Sequence, residues 1–182
     1  MLTAQGKKKE NIAEYLLYMW HIEDQIRAFR LDLDAIQATI IDAYQQPDEI
    51  KADIRAWYES LIDMMRREGV AEKGHLQLNT NVILELTDLH NQLLASPSAS
   101  QYSLAYYNVL PLLVELRAKS GSQVAGEVET AFNLLYGVLV LKLQQKPVSE
   151  GTQAAAVKVS EWLRALAIHY KKDREEGLDP DA

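Results

Sequence analysis

Four residues in the stretch NIAEYLLYMWHIEDQIRA (residues 11–28) have side chains that could bind or react: Trp20, Glu23, Asp24 and Arg27. Glu23 stands four residues before Arg27, the favourable order for an ion pair along a helix. At about 100° per residue, Ile12, Tyr15, Met19, Ile22, Ile26 and Phe29 share one apolar face. Leu16, Trp20, Glu23 and Arg27 follow a second line, displaced by roughly a quarter turn. The large apolar residues at the head of that line need a covering neighbour. The charges that continue it therefore belong at the edge of a buried patch.

An exposed pair of this kind contributes only about 0.3–0.5 kcal/mol. Partly buried, it adds little net stability, yet losing one partner costs several kcal/mol. Two roles fit. The favoured one is a structural Glu23–Arg27 ion pair, partly buried. The other is a polar pocket for a small-molecule ligand, using Trp20, Glu23, Asp24 and Arg27 with tyrosines such as Tyr106 and Tyr107.

Further chemistry is scarce. The histidines are His21, His75, His90 and His169. The paired Glu-x-x-His motifs of carboxylate-bridged di-iron bundles are absent, and no two histidines stand as His-x-x-x-His. No metal ligands are assigned. Glycine-rich phosphate loops and nucleophile elbows are also missing, so no catalytic residue and no cofactor is expected. His90, in TDLHNQLL, falls near the apolar stripe of its helix and reads as a hydrogen-bonded core residue.

The elements that position these residues are all helical. Their spacing predicts an all-α, single-domain bundle of six or seven helices over residues 1–182, with 1–8 and 172–182 as frayed ends. The first helix is expected from about Lys8 to Arg30, with Asn11 and Glu14 spaced as a capping box. Asp32 or Asp34 caps a second, reaching Tyr44. Asp48 opens a third with the stripe Ile50, Ile54, Trp57, Leu61 and Met65, closed by Gly69. Val70–Leu78, with Gly74 and His75, reads as a mobile connector. A fourth helix covers Thr80–Ala95, and SPSAS (96–100) breaks the chain.

The fifth helix runs from Gln101 to Lys119 with Pro111 inside it, where a kink or break is expected. Ser120-Gly121 stops it, and Ser122 caps a sixth lasting to Gln145. That helix is apolar almost all round from Ala131 to Leu143, which marks a central helix or an oligomer interface. Gly137 within it costs about 1 kcal/mol against alanine, so close helix approach is the expected compensation. A seventh helix ends near Tyr170.

The 48% hydrophobic and 25% charged content is that of a globular protein, and 182 residues favour one domain. Cysteine is absent, which excludes disulfides, thiolate metal sites and cysteine nucleophiles. A net charge of −7 argues against nucleic-acid binding. No signal-peptide-like segment precedes Asn11, and the longest apolar run, Phe132–Leu143, falls short of the roughly 20 residues of a membrane span. A cytoplasmic protein without membrane contact is expected.

NIAEYLLYMWHIEDQIRA and TDLHNQLL resemble an all-helical family of bacterial proteins known as a domain of unknown function. Matching positions are Asn11, Glu14, Tyr15, Tyr18, Trp20, Glu23, Asp24, Arg27 and Ala28, and the resemblance extends over about Asn11 to Tyr170. It implies a helical bundle and assigns no activity, cofactor or catalytic residue.

The leading functional expectation is a non-enzymatic bundle acting through helix-face contacts, with itself or with a protein partner. The alternative is a ligand-binding protein or enzyme using the Trp20 patch. The fifth and sixth helices carry more apolar surface than one bundle readily encloses, including Leu104, Tyr107, Leu113, Val114, Phe132 and Leu139. A homodimer covering part of this pair is expected.

Overall fold

The computed structural model describes residues 2–119 and 125–176, and within them the chain forms eight α-helices and no strand. They are α1 (Leu2–Glu10), α2 (Ile12–Ala28), α3 (Leu33–Ile36), α4 (Asp48–Arg67), α5 (Gln77–Ala95), α6 (Ser100–Lys119), α7 (Glu127–Leu143) and α8 (Glu150–Glu176). A π turn over Gln37–Ile41 extends α3, and a 3-10 turn at Pro97–Ala99 leads into α6. The all-α, single-domain expectation holds.

The helix count exceeds the expected six or seven because the opening segment divides at Asn11. Its backbone is extended there (φ −153°), and its side chain accepts from the N–H groups of Ala13 (3.0 Å) and Glu14 (3.3 Å). Only half of the capping box forms. Glu14 takes the Asn11 side-chain amide at 3.2 Å, while the Asn11 backbone N–H donates to the Lys7 carbonyl. A cap that starts one helix ends its predecessor, so α1 and α2 are separate. Lys8, the expected start, lies inside α1, and Ala4 in the segment expected to fray is buried.

Other boundaries follow side-chain chemistry. Asp32 caps α3, accepting from Asp34 and Ala35, each at 3.0 Å. Gly69 (φ +70°) closes α4: the Val70 N–H reaches the Met65 carbonyl and the Gly69 N–H reaches Arg66, the paired bonds of a Schellman ending. The helix α6 passes through Pro111 without a break, and both Pro111 and Tyr107 lie on its exposed side, where water can answer the freed Tyr107 carbonyl. The expected stop at Ser120-Gly121 and cap at Ser122 lie outside the described residues; α7 begins after Gly126.

Helix α2 meets α1, α4, α5, α7 and α8, and α8 meets α2, α5, α6 and α7. The buried α8 residues Val159, Trp162, Leu163, Leu166, Ala167 and Tyr170 repeat at three- and four-residue steps, one continuous stripe. On the other side of α2, α4 packs against both α2 and α3 through Tyr58, Leu61, Ile62 and Met65. The sequence left α7 as a central helix or an oligomer interface, and the bundle encloses only part of it. Its first turns are buried at Val128, Ala131 and Phe132, but Leu143 at its end is 57% exposed. An all-round apolar sequence sets no direction of burial, and α7 meets α2, α5, α6 and α8 over only part of its surface.

Gly137 also departs from expectation. A Cβ placed on it would meet nothing within 4 Å, so no close helix approach depends on it. Replacing it with alanine should stabilise the protein by about 0.5–1 kcal/mol, through helix propensity alone. Gly69→Ala should instead destabilise by about 1 kcal/mol, because the left-handed backbone is costly for alanine although space is open. Urea denaturation of the two variants checks the opposite signs.

A buried carboxylate that caps a distant helix

Glu23 lies on the flank of α2 with its side chain fully buried. A carboxylate there needs donors, and three converge on it. The Leu76 N–H (2.9 Å) and the Asn79 side-chain amide (2.6 Å) donate to Oε1, and His75 Nδ1 donates to Oε2 at 2.6 Å. Leu76 is the N-cap residue of α5, with no side-chain group to offer, and Asn79 lies in the first turn. Glu23 thus caps α5 from across the fold, with its negative charge at the positive end of the helix dipole. Glu68, at the end of α4, performs the same service for the next amide, accepting from the Gln77 N–H at 2.6 Å.

Aromatic rings enclose this carboxylate. Trp20, one turn before Glu23, stacks on the His75 ring at 4.2 Å between centroids and 13° between planes. Phe132 and Tyr136 of α7 meet Trp20 edge-on. The stack fixes the imidazole so that Nδ1 points at the carboxylate. Three buried polar atoms here have no protein partner: Trp20 Nε1, Arg27 Nε and Asn79 Oδ1.

The expected Glu23–Arg27 pair does not form. Arg27 Nη1 instead bonds Asp24 Oδ1 at 2.8 Å, while Nη2 donates to the carbonyls of Val70 (3.2 Å) and Gly74. The reason lies in desolvation. Glu23 points inward, where amide, backbone and imidazole donors fill its lone pairs. The guanidinium stays at the rim, where a partly exposed carboxylate and two carbonyls match its several donors. Tyr136 completes the rim, donating to Asp24 Oδ2 at 2.5 Å. Burial first, and then the Asp24 carboxylate, push the Tyr136 hydroxyl above the usual phenol range and keep it a donor.

Arg27, Glu23 and the stack also overturn the reading of Val70–Leu78 as a mobile connector. It is a strap held at Val70, Gly74, His75 and Leu76, and Leu76 is fully buried. Trp20, Glu23, Asp24 and Arg27 do come together, tied to the strap and to Tyr136. Tyr106 and Tyr107 are not part of this group: Tyr106 bonds Glu127 at 2.7 Å and Tyr107 is exposed. Sequence reading missed His75, Asn79 and Tyr136. Their roles arise from contacts 52, 56 and 112 residues away along the chain, which no local periodicity encodes.

A second buried polar group sits between α5, α6 and α7. His90, 3% exposed, shares a 2.6 Å hydrogen bond between Nδ1 and the Tyr102 hydroxyl, as expected of a core histidine. Its Nε2 lies 3.7 Å from Glu127 Oε2, and Tyr106, Tyr102 and Trp162 surround the ring. Burial lowers the His90 pKa, and Glu127 only partly opposes that. Among the described residues, no group of three or more histidine, aspartate or glutamate side chains is placed to hold a metal ion. No helix among them is long and apolar enough to cross a membrane.

A family profile described as "Domain of unknown function (DUF4924)" matches residues 1–177. No curated protein and no solved structure matches the chain.

Two outcomes follow from this geometry. Glu23→Ala strands three donors and should cost more than about 3 kcal/mol, against about 1–2 kcal/mol for Arg27→Ala. In double-mutant cycles, Glu23 should couple to Asn79 by more than about 1 kcal/mol and to Arg27 by less than about 0.5 kcal/mol. Equal coupling to both would mean that the ion pair operates in solution.

The second outcome concerns pH. The unfolded His90 takes a proton near pH 6.5, and the folded one does so only at lower pH. Below about pH 6.5 the unfolded chain therefore binds more protons, and stability falls with pH through that window. Urea titrations at pH 7.5 and 5.5 should show the loss, and His90→Gln should reduce it.

Proposed function

The chain belongs to the DUF4924 family, a domain of unknown function, and we propose that it is a non-enzymatic helical bundle that works through helix-face contacts, first with a second copy of itself. One observation carries the reading. Leu104, Tyr107, Pro111, Val114 and Ala118 all lie exposed on α6 at steps of three, four, three and four residues. That is the spacing of a coiled-coil seam. Leu104 is 64% exposed, Tyr107 59% and Val114 54%. Apolar residues scattered singly on a surface need no explanation, but a seam in helical register does.

The seam extends about 21 Å along the helix at 1.5 Å per residue. A two-fold axis beside Pro111 would lay α6 antiparallel on its copy, setting Leu104 against Ala118 and Tyr107 against Val114. Large residues then face small ones across the interface. The proline adds an apolar ring without rotamer entropy to lose. Leu113 and Phe132, which sequence alone assigned to the same surface, belong to the monomer core at 0% exposure, so the proposed interface centres on α6.

Ligand binding at Trp20, Glu23, Asp24 and Arg27 is the second reading. It rests on the buried Trp20 Nε1 and Asn79 Oδ1 that lack protein partners. It is weaker because protein donors already occupy both Glu23 oxygens. The proposal also places the protein in a bacterial cytoplasm, in keeping with a chain that has no cysteine to oxidise.

Light scattering after size exclusion at micromolar concentration should give twice the 20.6 kDa of one chain. Leu104→Glu with Tyr107→Glu should return the mass to that of one chain without changing helicity. A wild-type mass that stays at one chain on concentrating would remove the dimer.

A further inference from the structure

A second apolar surface lies between α7 and α8, away from the α6 seam. Leu135, Val138 and Leu139 of α7, Ala156 and Val157 of α8, and Leu17 of α2 line an open groove of about 520 Å³. Val157 is 57% exposed, and so is Leu143 just beyond the α7 end of the groove. Its α8 wall runs from Gln153 to Arg164, or about 16 Å at 1.5 Å per residue. The short connection over residues 144–149 makes α7 and α8 antiparallel neighbours. Lys142 therefore stands near Gln153, and Arg164 stands at the far end.

Those two cations set the chemistry. Neither Lys142 nor Arg164 has an ion-pair or hydrogen-bond partner among the described residues, although the chain as a whole carries a net charge of −7. Among the described residues, Glu161 is the one acid lining the groove. The groove thus combines an apolar floor with an unanswered positive charge at each end.

We infer that this groove docks an amphipathic helix of a partner protein, about three turns long, with acidic residues at both ends. Its apolar side would pack on Val138, Leu139 and Val157 while its two acids meet Lys142 and Arg164. A furrow between two packed helices has the width to seat a third. An acyl chain would answer only one of the two cations with its single carboxylate. A second copy of this chain fits poorly, because its exposed α6 seam ends in Arg117 and Lys119, and Glu115 beside them already pairs with Lys119 at 2.6 Å. The partner helix is therefore a different, acidic one.

The probe is a fluorescein-labelled synthetic helix of sixteen residues with leucines at one face and two glutamates at each end. Its control carries lysines in place of the glutamates. Anisotropy with the full chain should show saturable binding of the acid-ended peptide, at least tenfold tighter than the control. Val157→Glu, at an exposed site that leaves folding intact by circular dichroism, should abolish it. Lys142→Glu with Arg164→Glu should reverse the preference towards the lysine-ended peptide. Leu104→Glu should leave binding unchanged, which separates this groove from the α6 seam. Equal binding of both peptides, no binding of either, or binding that survives Val157→Glu would overturn the inference. So would displacement of the peptide by laurate at equal concentration, which would assign the groove to an acyl ligand. A dimer lost on Val157→Glu alone would also overturn it, by seating a second copy there.

Discussion

The burial of Glu23 is the constraint from which much of this bundle follows. A carboxylate out of contact with water must have its lone pairs filled, and the fold supplies the donors from one place, the start of α5. That requirement fixes where α5 begins, which way its N-terminus points and how the preceding strap crosses α2. The first turn of a helix has free amides and a partial positive charge, so a buried anion and a buried helix start satisfy each other. Separately, each would be destabilising. Together they lock α2 to α5.

Around that contact the aromatic residues act as walls. Trp20 holds the His75 ring flat, and Tyr136 from α7 ties the rim through Asp24 and the Trp20 carbonyl. Three segments far apart in sequence thereby share one polar cluster sealed by apolar rings. The His90 cluster repeats the principle towards the other end of α5, with Tyr102 as its partner and Trp162 of α8 as its wall. Helix α5 is thus pinned by polar contacts near both of its ends and by apolar ones between, at Val82, Ile83 and Leu86.

Two apolar surfaces remain after the core is closed, and they differ in kind. The α6 seam has heptad spacing and suits a copy of itself. The α7/α8 groove has cations at its ends and suits an acidic partner. A bundle that leaves two unlike faces open could join a copy on one side and a different protein on the other.

How much of this was legible beforehand depends on the range of the interactions. Helix type, the Asp32 and Asn11 caps and the Gly69 ending are local, set within five residues, and the sequence spells them out. The burial of Glu23 was also legible, because Trp20 and Leu16 precede it on the same helical flank. Its partner was not. Arg27 was the nearest opposite charge, but a buried carboxylate is satisfied by donors chosen through packing, and those came from His75, Leu76 and Asn79. How α7 is covered was not legible for a similar reason. Apolar content identified α7 as a helix that must be covered, yet only the assembled geometry decided that its first turns are buried and its end exposed. Sequence determines which residues must leave water; tertiary structure decides what they meet when they do, because those partners lie dozens of residues away and are selected by shape.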